Sequence, residues 1–297
     1  MSHNFENAIG GSFKLNSGFH IPLVGLGTYK ITGKDVTPCV DAALSAGYRM
    51  FDTAKYYVNE PELGTALKEL LPKYNLTRSD VFITTKFFPP PVDTVATTRS
   101  LVEESLKNLQ TDYIDMYLIH YPKSDKCEND DPSNALHRKE TYVTLEALKD
   151  EGKIRSVGVS NYEIRHLEEI KSFGKNSPCA NQVEYHPHFT RDELQQYCQK
   201  EGIFFQAFSS LARHEPNLIE DPSVVLLSEK YKTTVPLILL AWARSQSVGI
   251  VPKSATPSRI IDNFKVADIT LSPEDIETLR KLNKNQHYIR CTGWLAL

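Results

Sequence analysis

From Leu23 onward the chain alternates short apolar runs with longer stretches whose apolar residues recur every three or four positions. The runs are Leu23–Leu26, Met50–Phe51, Val81–Thr85, Ile114–Ile119, Ile154–Val159, Ala180–Val183, Phe204–Ala207 and Ile250–Val251. Their shortness and apolar content predict buried strands. Between them lie amphipathic stretches at Asp35–Ala46, Glu62–Leu71, Thr94–Leu109, Arg138–Glu151, Ile164–Phe173, Arg191–Glu201, Pro222–Lys230 and Pro257–Val266. Repeated β-then-α units predict an α/β fold with a parallel sheet, and eight of them predict closure into a (β/α)8 TIM barrel. An open doubly wound sheet is the alternative. It needs a glycine-rich turn after its first strand, and Gly25-Leu26-Gly27-Thr28-Tyr29-Lys30 lacks the third glycine of that pattern.

The opening departs from the alternation. Ser12–Asn16, a turn at Ser17-Gly18 and Phe19–Pro22 predict a β-hairpin. Two stretches, Pro122–Asn134 and Leu211–Asp221, read as elaborated loops. A further helix is expected at Pro273–Leu282, with Ser272 as its cap and Pro273 in its first turn. The tail Lys284–Leu297 follows and is expected to lie over the substrate pocket. No Pro-, Gly- or Ser-rich linker divides the chain, so residues 1–297 read as one domain.

Of the 297 residues 40% are hydrophobic, and 34 basic against 37 acidic side chains leave a net charge of −3. That balance points away from nucleic acid and anionic membranes, and any phosphate must be held by a local cluster. Cys39, Cys127, Cys179, Cys198 and Cys291 contain no CxxC pair and are odd in number, which fits a reducing compartment. The polar start, Met1–Gly11, has no signal-peptide core. No run approaches the roughly 18 apolar residues of a membrane span. A cytoplasmic protein is expected, in which the sequon Asn75-Leu76-Thr77 goes unused. No long apolar surface stretch demands a partner, so a monomer is expected.

Polar residues stand where several predicted strands end: Asp52, Lys86, His120, Ser160 with Asn161, and Gln182. In a closed barrel all of these ends share one rim, the face where such barrels keep their active sites. The segment Gly47-Tyr48-Arg49-Met50-Phe51-Asp52-Thr53-Ala54-Lys55-Tyr56-Tyr57-Val58-Asn59-Glu60-Pro61-Glu62-Leu63-Gly64 resembles the first signature of the aldo-keto reductases. Leu118-Ile119-His120-Tyr121-Pro122, Gly158-Val159-Ser160-Asn161-Tyr162, and Val251-Pro252-Lys253-Ser254 with Arg259 and Asn263 agree with that family in order and spacing.

The resemblance implies NADPH-dependent reduction of an aldehyde or ketone to an alcohol, with a catalytic tetrad of Asp52, Tyr57, Lys86 and His120. The chemistry is consistent with those four types. Hydride reaches the carbonyl carbon from the cofactor, and the oxygen must gain a proton. Tyr57 is the expected donor. A free phenol, with pKa about 10, is a weak acid near neutrality. An ammonium at Lys86 is expected to lower it, with Asp52 holding Lys86, while His120 hydrogen-bonds the carbonyl oxygen. Tyr56 competes with Tyr57, and the family spacing alone selects the second. The competing reading of Asp52 and Lys86 is a structural ion pair. Asn59 and Glu60 read as residues that begin the next helix.

For the cofactor, Lys253, Ser254, Arg259 and Asn263 gather at one predicted helix start, with Thr256 as its cap, and suit an anion. The family uses these positions for the 2′-phosphate and adenine. It also implies that Ser160, Asn161 and Gln182 hydrogen-bond the nicotinamide carboxamide, and that Gly27, Thr28, Tyr29 and Asp52 lie against the cofactor. Phe208 stands where the family stacks a tyrosine, and Ser210 replaces a proline. Ser209 and Leu211 are expected near the pyrophosphate and Glu215 on a closing loop.

Tyr29, Tyr57, His120, Tyr121 and Trp294 are expected to line the substrate pocket, with Tyr288 nearby; Trp294 reads equally well as tail packing. Glu184, His186 and His188 read as structural residues, and no metal is expected. Two other functions fit the same scaffold. One is a non-catalytic NADPH-binding regulatory or structural protein. The other is a barrel hydrolase or isomerase using the Lys253–Arg259 patch, which lacks an obvious second carboxylate.

Overall fold

A computed structural model describes residues 5–290 and 292–297. The hairpin forms first, with β1 (Ser12–Lys14) antiparallel to β2 (His20–Pro22) and Phe13 opposite Ile21. Eight parallel strands follow: β3 (Leu26–Gly27), β4 (Met50–Asp52), β5 (Phe82–Phe87), β6 (Ile114–Ile119), β7 (Ile154–Ser160), β8 (Ala180–Glu184), β9 (Phe204–Phe208) and β10 (Gly249–Ile250). They pair in sequence order from β3 to β10. Parallel bridges Val24–Ile250 and Gly27–Lys253 then join the first strand to the last. The N–H of Gly25 donates to the Ile250 carbonyl at 2.9 Å and that of Gly27 to Pro252 at 3.1 Å. The sheet is therefore closed, as the eight repeats predict.

The helices between the strands are α1 (Val36–Ala46), α2 (Glu60–Leu70), α3 (Thr94–Asn108), α4 (Ser133–Asp150), α5 (Ile164–Ile170) and α6 (Asp192–Lys200). The last loops carry α7 (Pro216–Ile219), α8 (Pro222–Lys230), α9 (Val235–Arg244), α10 (Pro257–Phe264) and α11 (Pro273–Arg280). The strand runs and amphipathic stretches read from the sequence all fall on observed elements, with ends shifted by a few residues. Two helices are unforeseen: the one-turn α7, inside a stretch read as a loop, and α9. The sequence of α9, Val-Pro-Leu-Ile-Leu-Leu-Ala-Trp-Ala-Arg, is apolar but for its last residue, and Leu237–Ala243 are all buried. A nearly continuous apolar run does not read as an amphipathic helix and resembles a buried strand.

Alternation along each strand makes two cores. Phe51, Ile83, Tyr117, Val157, Val183 and Phe205 face the helical layer. Met50, Phe82, Met116, Leu118, Ala180 and Phe204 fill the barrel interior together with Leu15 and Ile21 of the hairpin. Phe13 packs on Phe204 with centroids 5.0 Å apart, and Phe5 on Phe82 at 6.0 Å. The hairpin thus closes the end at which the strands begin. The opposite end is left for polar side chains. Cys39, Cys127, Cys179 and Cys198 form no disulfide, and Cys291 lies outside the described residues. No helix among them is long and apolar enough to cross a membrane.

Candidate active site

The same two-residue period carries polar chemistry to the open rim. Inward-facing Met50 is followed by Asp52, Phe82 and Thr84 by Lys86, Leu118 by His120, and Ala180 by Gln182. Each file is apolar at depth and polar at its end, and closure brings the ends together. Lys86 Nζ lies 2.6 Å from Asp52 Oδ1, donates to the Thr53 carbonyl at 2.9 Å, and lies 3.4 Å from the Tyr57 hydroxyl. Tyr57 reaches this point from a 3-10 turn, Lys55–Tyr57, which Val58 ends in the left-handed region at φ +54°. Its neighbour Tyr56 is 60% exposed and also lies near the site, its ring 6.4 Å from that of His120 and 5.7 Å from that of Phe88, but it is the Tyr57 hydroxyl that stands beside Lys86. The His120 ring lies 6.0 Å from that of Tyr57, and no protein group bonds its buried Nδ1.

Burial sets the protonation states. It pushes the Lys86 ammonium down, and Asp52 opposes that fall. It pushes His120 well below 6.5, aided by the charge on Lys86, so the imidazole is neutral at physiological pH. The Tyr57 phenol departs from the sequence expectation. Burial, then Asp52 and Tyr29, holds it well above 10. Burial is the larger cause, and the Asp52 carboxylate, 2.6 Å from Lys86, adds negative charge near the phenol.

Ser160, Asn161 and Gln182 meet beside this cluster with their protons committed. Ser160 Oγ donates to the Gln182 carbonyl at 2.7 Å. Asn161, at φ +63°, donates to the His120 carbonyl at 3.0 Å and to Ser160 Oγ at 3.1 Å. Gln182 Nε2 donates to Asp52 Oδ2 at 2.7 Å and to Gln206 Oε1 at 2.8 Å. The side-chain oxygens of Asn161 and Gln182 remain as acceptors for an incoming amide. Gln206, unremarked in the sequence, therefore helps hold Asp52 through Gln182.

The seam between β3 and β10 brings Gly27 beside Lys253. A Cβ on Gly27 would stand 2.5 Å from the Val251 carbonyl oxygen, which explains the glycine. Thr28 Oγ1 donates to the Asp52 carbonyl at 2.9 Å. Lys253 and Arg259 are exposed and form no ion pair among the described residues. Arg259 and Asn263 both lie on α10. Thr256 stands at the cap position without a side-chain cap bond; instead Ser254 Oγ accepts the Thr256 N–H at 3.0 Å. Phe208 ends β9 half-buried, and the buried Ser210 hydroxyl beyond it has no protein partner. Ser209 takes φ +54°, Leu211 precedes a 3-10 turn, and Glu215 accepts a hydrogen bond from Asn217 at 2.8 Å.

The rim beside Tyr57 and His120 is aromatic. Tyr29, 42% exposed, packs on Tyr57 at 5.1 Å. Phe88, overlooked in the sequence, stacks on His120 at 4.8 Å and on Tyr121 at 5.7 Å. Its signal was its place two residues beyond Lys86. Tyr121 is buried and lies so close to Gly293 that a Cβ there would come within 2.3 Å of its ring. Trp294 has its ring contacts elsewhere among the described residues. It is 9% exposed, and its ring contacts are Phe189 at 6.3 Å and His287 at 4.8 Å. Glu184 accepts the N–H groups of Tyr288 and Ile289 at 2.6 and 3.1 Å and pairs with His186 at 3.0 Å, while His188 bonds the Tyr288 hydroxyl at 2.7 Å. These residues anchor the tail. No group of three or more possible metal ligands occurs among the described residues.

Two expected helix-capping residues do something else. Asn59 makes no side-chain cap bond; it accepts from Thr53 Oγ1 at 2.6 Å and donates to the carbonyls of Thr28 and Ile31 at 3.0 and 2.8 Å. Glu60 is buried and accepts from Thr85 at 2.6 Å and Ser105 at 3.2 Å.

Comparison with known proteins agrees with this architecture. The Aldo/keto reductase family profile matches residues 23–214. The chain is 40% identical to aldo-keto reductase family 1 member A1 of Homo sapiens, over 93% of this chain and 90% of that one. It is 38% identical to glyoxal reductase of Bacillus subtilis, over 92% and 93%. The solved aldose reductase of Schistosoma japonicum superposes with a TM-score of 0.86 at 33% identity, covering 95% of both chains. By sequence and by fold, the chain belongs to the aldo/keto reductase family, whose members are oxidoreductases that use nicotinamide cofactors.

Proposed function

We propose that the protein reduces an aldehyde or ketone to the corresponding alcohol with NADPH, and that Tyr57 donates the proton. The observation that carries this reading is the Tyr57 hydroxyl 3.4 Å from Lys86 Nζ, itself 2.6 Å from Asp52, at a rim lined by a neutral histidine. The residues present suit the cofactor. Lys253 and Arg259 are cations without ion-pair partners, Ser254 and Asn263 stand beside them, and Asn161 and Gln182 keep free acceptor oxygens. When bound, the cofactor supplies the hydride that reaches the carbonyl carbon. Phe208 offers an aromatic face, Gly27, Thr28 and Tyr29 offer the adjoining rim, and Ser209, Leu211 and Glu215 belong to the loop beside it.

The protein's own part is positioning and proton supply. His120, neutral, donates a hydrogen bond to the substrate oxygen and turns it toward Tyr57. A phenol held well above 10 is fully protonated at neutral pH. It is therefore always armed as a donor, and a developing alkoxide is basic enough to take its proton. The O–H bond of Tyr57 breaks as the new O–H bond of the alcohol forms. The resulting phenolate lies beside the Lys86 ammonium, which stabilises it until solvent restores the proton. Tyr29, Tyr121 and Phe88 shield the reacting atoms, with Trp294 behind them as tail packing. On this reading residues 1–297 act as one domain, as a cytoplasmic monomer.

The test follows NADPH oxidation with a reactive aldehyde. Tyr57→Phe is expected to lower turnover by roughly 100-fold or more while NADPH still binds. Wild-type turnover in that variant would remove Tyr57 as donor. Lys253→Ala with Arg259→Ala is expected to abolish the preference for NADPH over NADH; an unchanged preference would reject the phosphate assignment.

A further inference from the structure

Asn59 is fully buried, and its side-chain amide is saturated by groups that border the site. Its oxygen accepts from Thr53 Oγ1 at 2.6 Å, which ties together the two ends of the turn, residues 53–59, that carries Tyr57. Its two amide protons go to the carbonyls of Thr28 at 3.0 Å and Ile31 at 2.8 Å, on the loop after β3. Both connections lead to the reacting groups. The Thr53 carbonyl is an acceptor of the Lys86 ammonium at 2.9 Å. Tyr29, between Thr28 and Ile31, packs on the Tyr57 ring at 5.1 Å. Other bonds hold the turn as well: Tyr57 N–H donates to Ala54 at 2.9 Å and Val58 N–H to Lys55 at 3.1 Å within it, Thr53 N–H donates to the Thr84 carbonyl at 2.8 Å, and Lys55 pairs with Glu104 at 2.9 Å, but none of these reaches the Tyr29 loop.

We propose that Asn59 is a positioning residue: it closes the Tyr57 turn and locks it to the Tyr29 loop, so that the phenol and the Lys86 ammonium stay in contact. The proposal rests on the carbonyl-reductase reading. A helix cap would serve α2 alone, whereas all three bonds of this side chain leave the helix. The side chain is buried from bulk solvent, which therefore does not stand ready to replace them. Loss of the side chain therefore frees the donor rather than fraying a helix, and a displacement of about 1 Å at a reacting group costs up to roughly 100-fold in rate.

The experiment compares wild type with Asn59→Ala, Asn59→Asp, Thr53→Val and Thr53→Ser, using NADPH and one aldehyde, with rates normalised to folded protein. Amide hydrogen exchange over residues 27–31 and 53–58 is measured without cofactor as a second readout. Asn59→Ala is expected to lower kcat by roughly 10- to 100-fold with KM changed less than about threefold. Asn59→Asp, which keeps the acceptor for Thr53 and loses both donors, should speed exchange over 27–31 above all. Thr53→Val should lower kcat and Thr53→Ser should restore it, which keeps the proposal testable if Asn59→Ala fails to fold. The proposal is overturned if kcat of folded Asn59→Ala stays within about twofold of wild type, if KM alone changes, if Thr53→Ser matches Thr53→Val, or if exchange is unaltered in every variant. Absence of turnover in the wild type would instead reject the carbonyl-reductase reading, and this proposal with it.

Discussion

Lys86 shows how much of this site is settled by burial at a single residue. Its side chain is inaccessible to solvent, as is most of Asp52, and the pair stands 2.6 Å apart. Removing one partner strands the other charge in a medium that solvates it poorly. Lys86→Met is expected to lower unfolding stability by about 3–5 kcal/mol, read from urea denaturation, as well as abolish turnover. Adding Asp52→Asn should recover much of that stability and none of the activity. If the double variant is no more stable than the single one, the pair is not the source of the loss. The same burial keeps His120 neutral and Tyr57 protonated. Turnover should therefore show no inflection from a histidine near 6.5, the ordinary value, in a pH profile of kcat.

At the scale of elements, the period of two along each strand does the placing. It directs Phe82 and Thr84 inward ahead of Lys86, and Met116 and Leu118 ahead of His120. This was legible, because inward polar residues break otherwise apolar runs at their last position. Side-chain bonds between loops were not. Asn59 sits just before Pro61 at a helix start, a position that ordinarily signals a cap. Its partners Thr28 and Ile31 are 31 and 28 residues away, and only packing brings them near. The seam of the barrel is equally local in structure and distant in sequence. Gly27→Ala would press a methyl to 2.5 Å from the Val251 carbonyl oxygen. It is expected to cost about 1–3 kcal/mol in a urea melt, and to weaken NADPH binding because Lys253 pairs across the same seam. A variant as stable as wild type would mean that the seam opens readily.

For the whole molecule, closure couples elements at both ends of the chain, and buried histidines make that coupling sensitive to pH. Burial lowers His166 and His188 from 6.5 to about 4, and it lowers His120 well below 6.5. His166 and His188 hold the tail, through the Ala296 carbonyl at 2.7 Å and the Tyr288 hydroxyl at 2.7 Å. Below about 6.5 the unfolded chain binds protons at these positions that the folded chain refuses, so stability falls with falling pH. The melting temperature is expected to be flat from about pH 7 to 8 and to drop between about 6.5 and 4. His188→Gln should make that drop shallower; an identical slope would show that His188 does not contribute to it.

The sequence by itself determined the eight βα units, the hairpin, the polar strand ends and the four motif segments, because each is written in local periodicity and spacing. Helix α9 escaped because its nearly continuous apolar run cannot be told from a buried strand by pattern alone. Only the tertiary structure decided that the Tyr57 hydroxyl meets the Lys86–Asp52 pair, that the Trp294 ring lies against Phe189 and His287, and that the Asn59 side chain bonds two loops. Those facts depend on distances between residues far apart along the chain, and no local pattern encodes such a distance until the barrel closes.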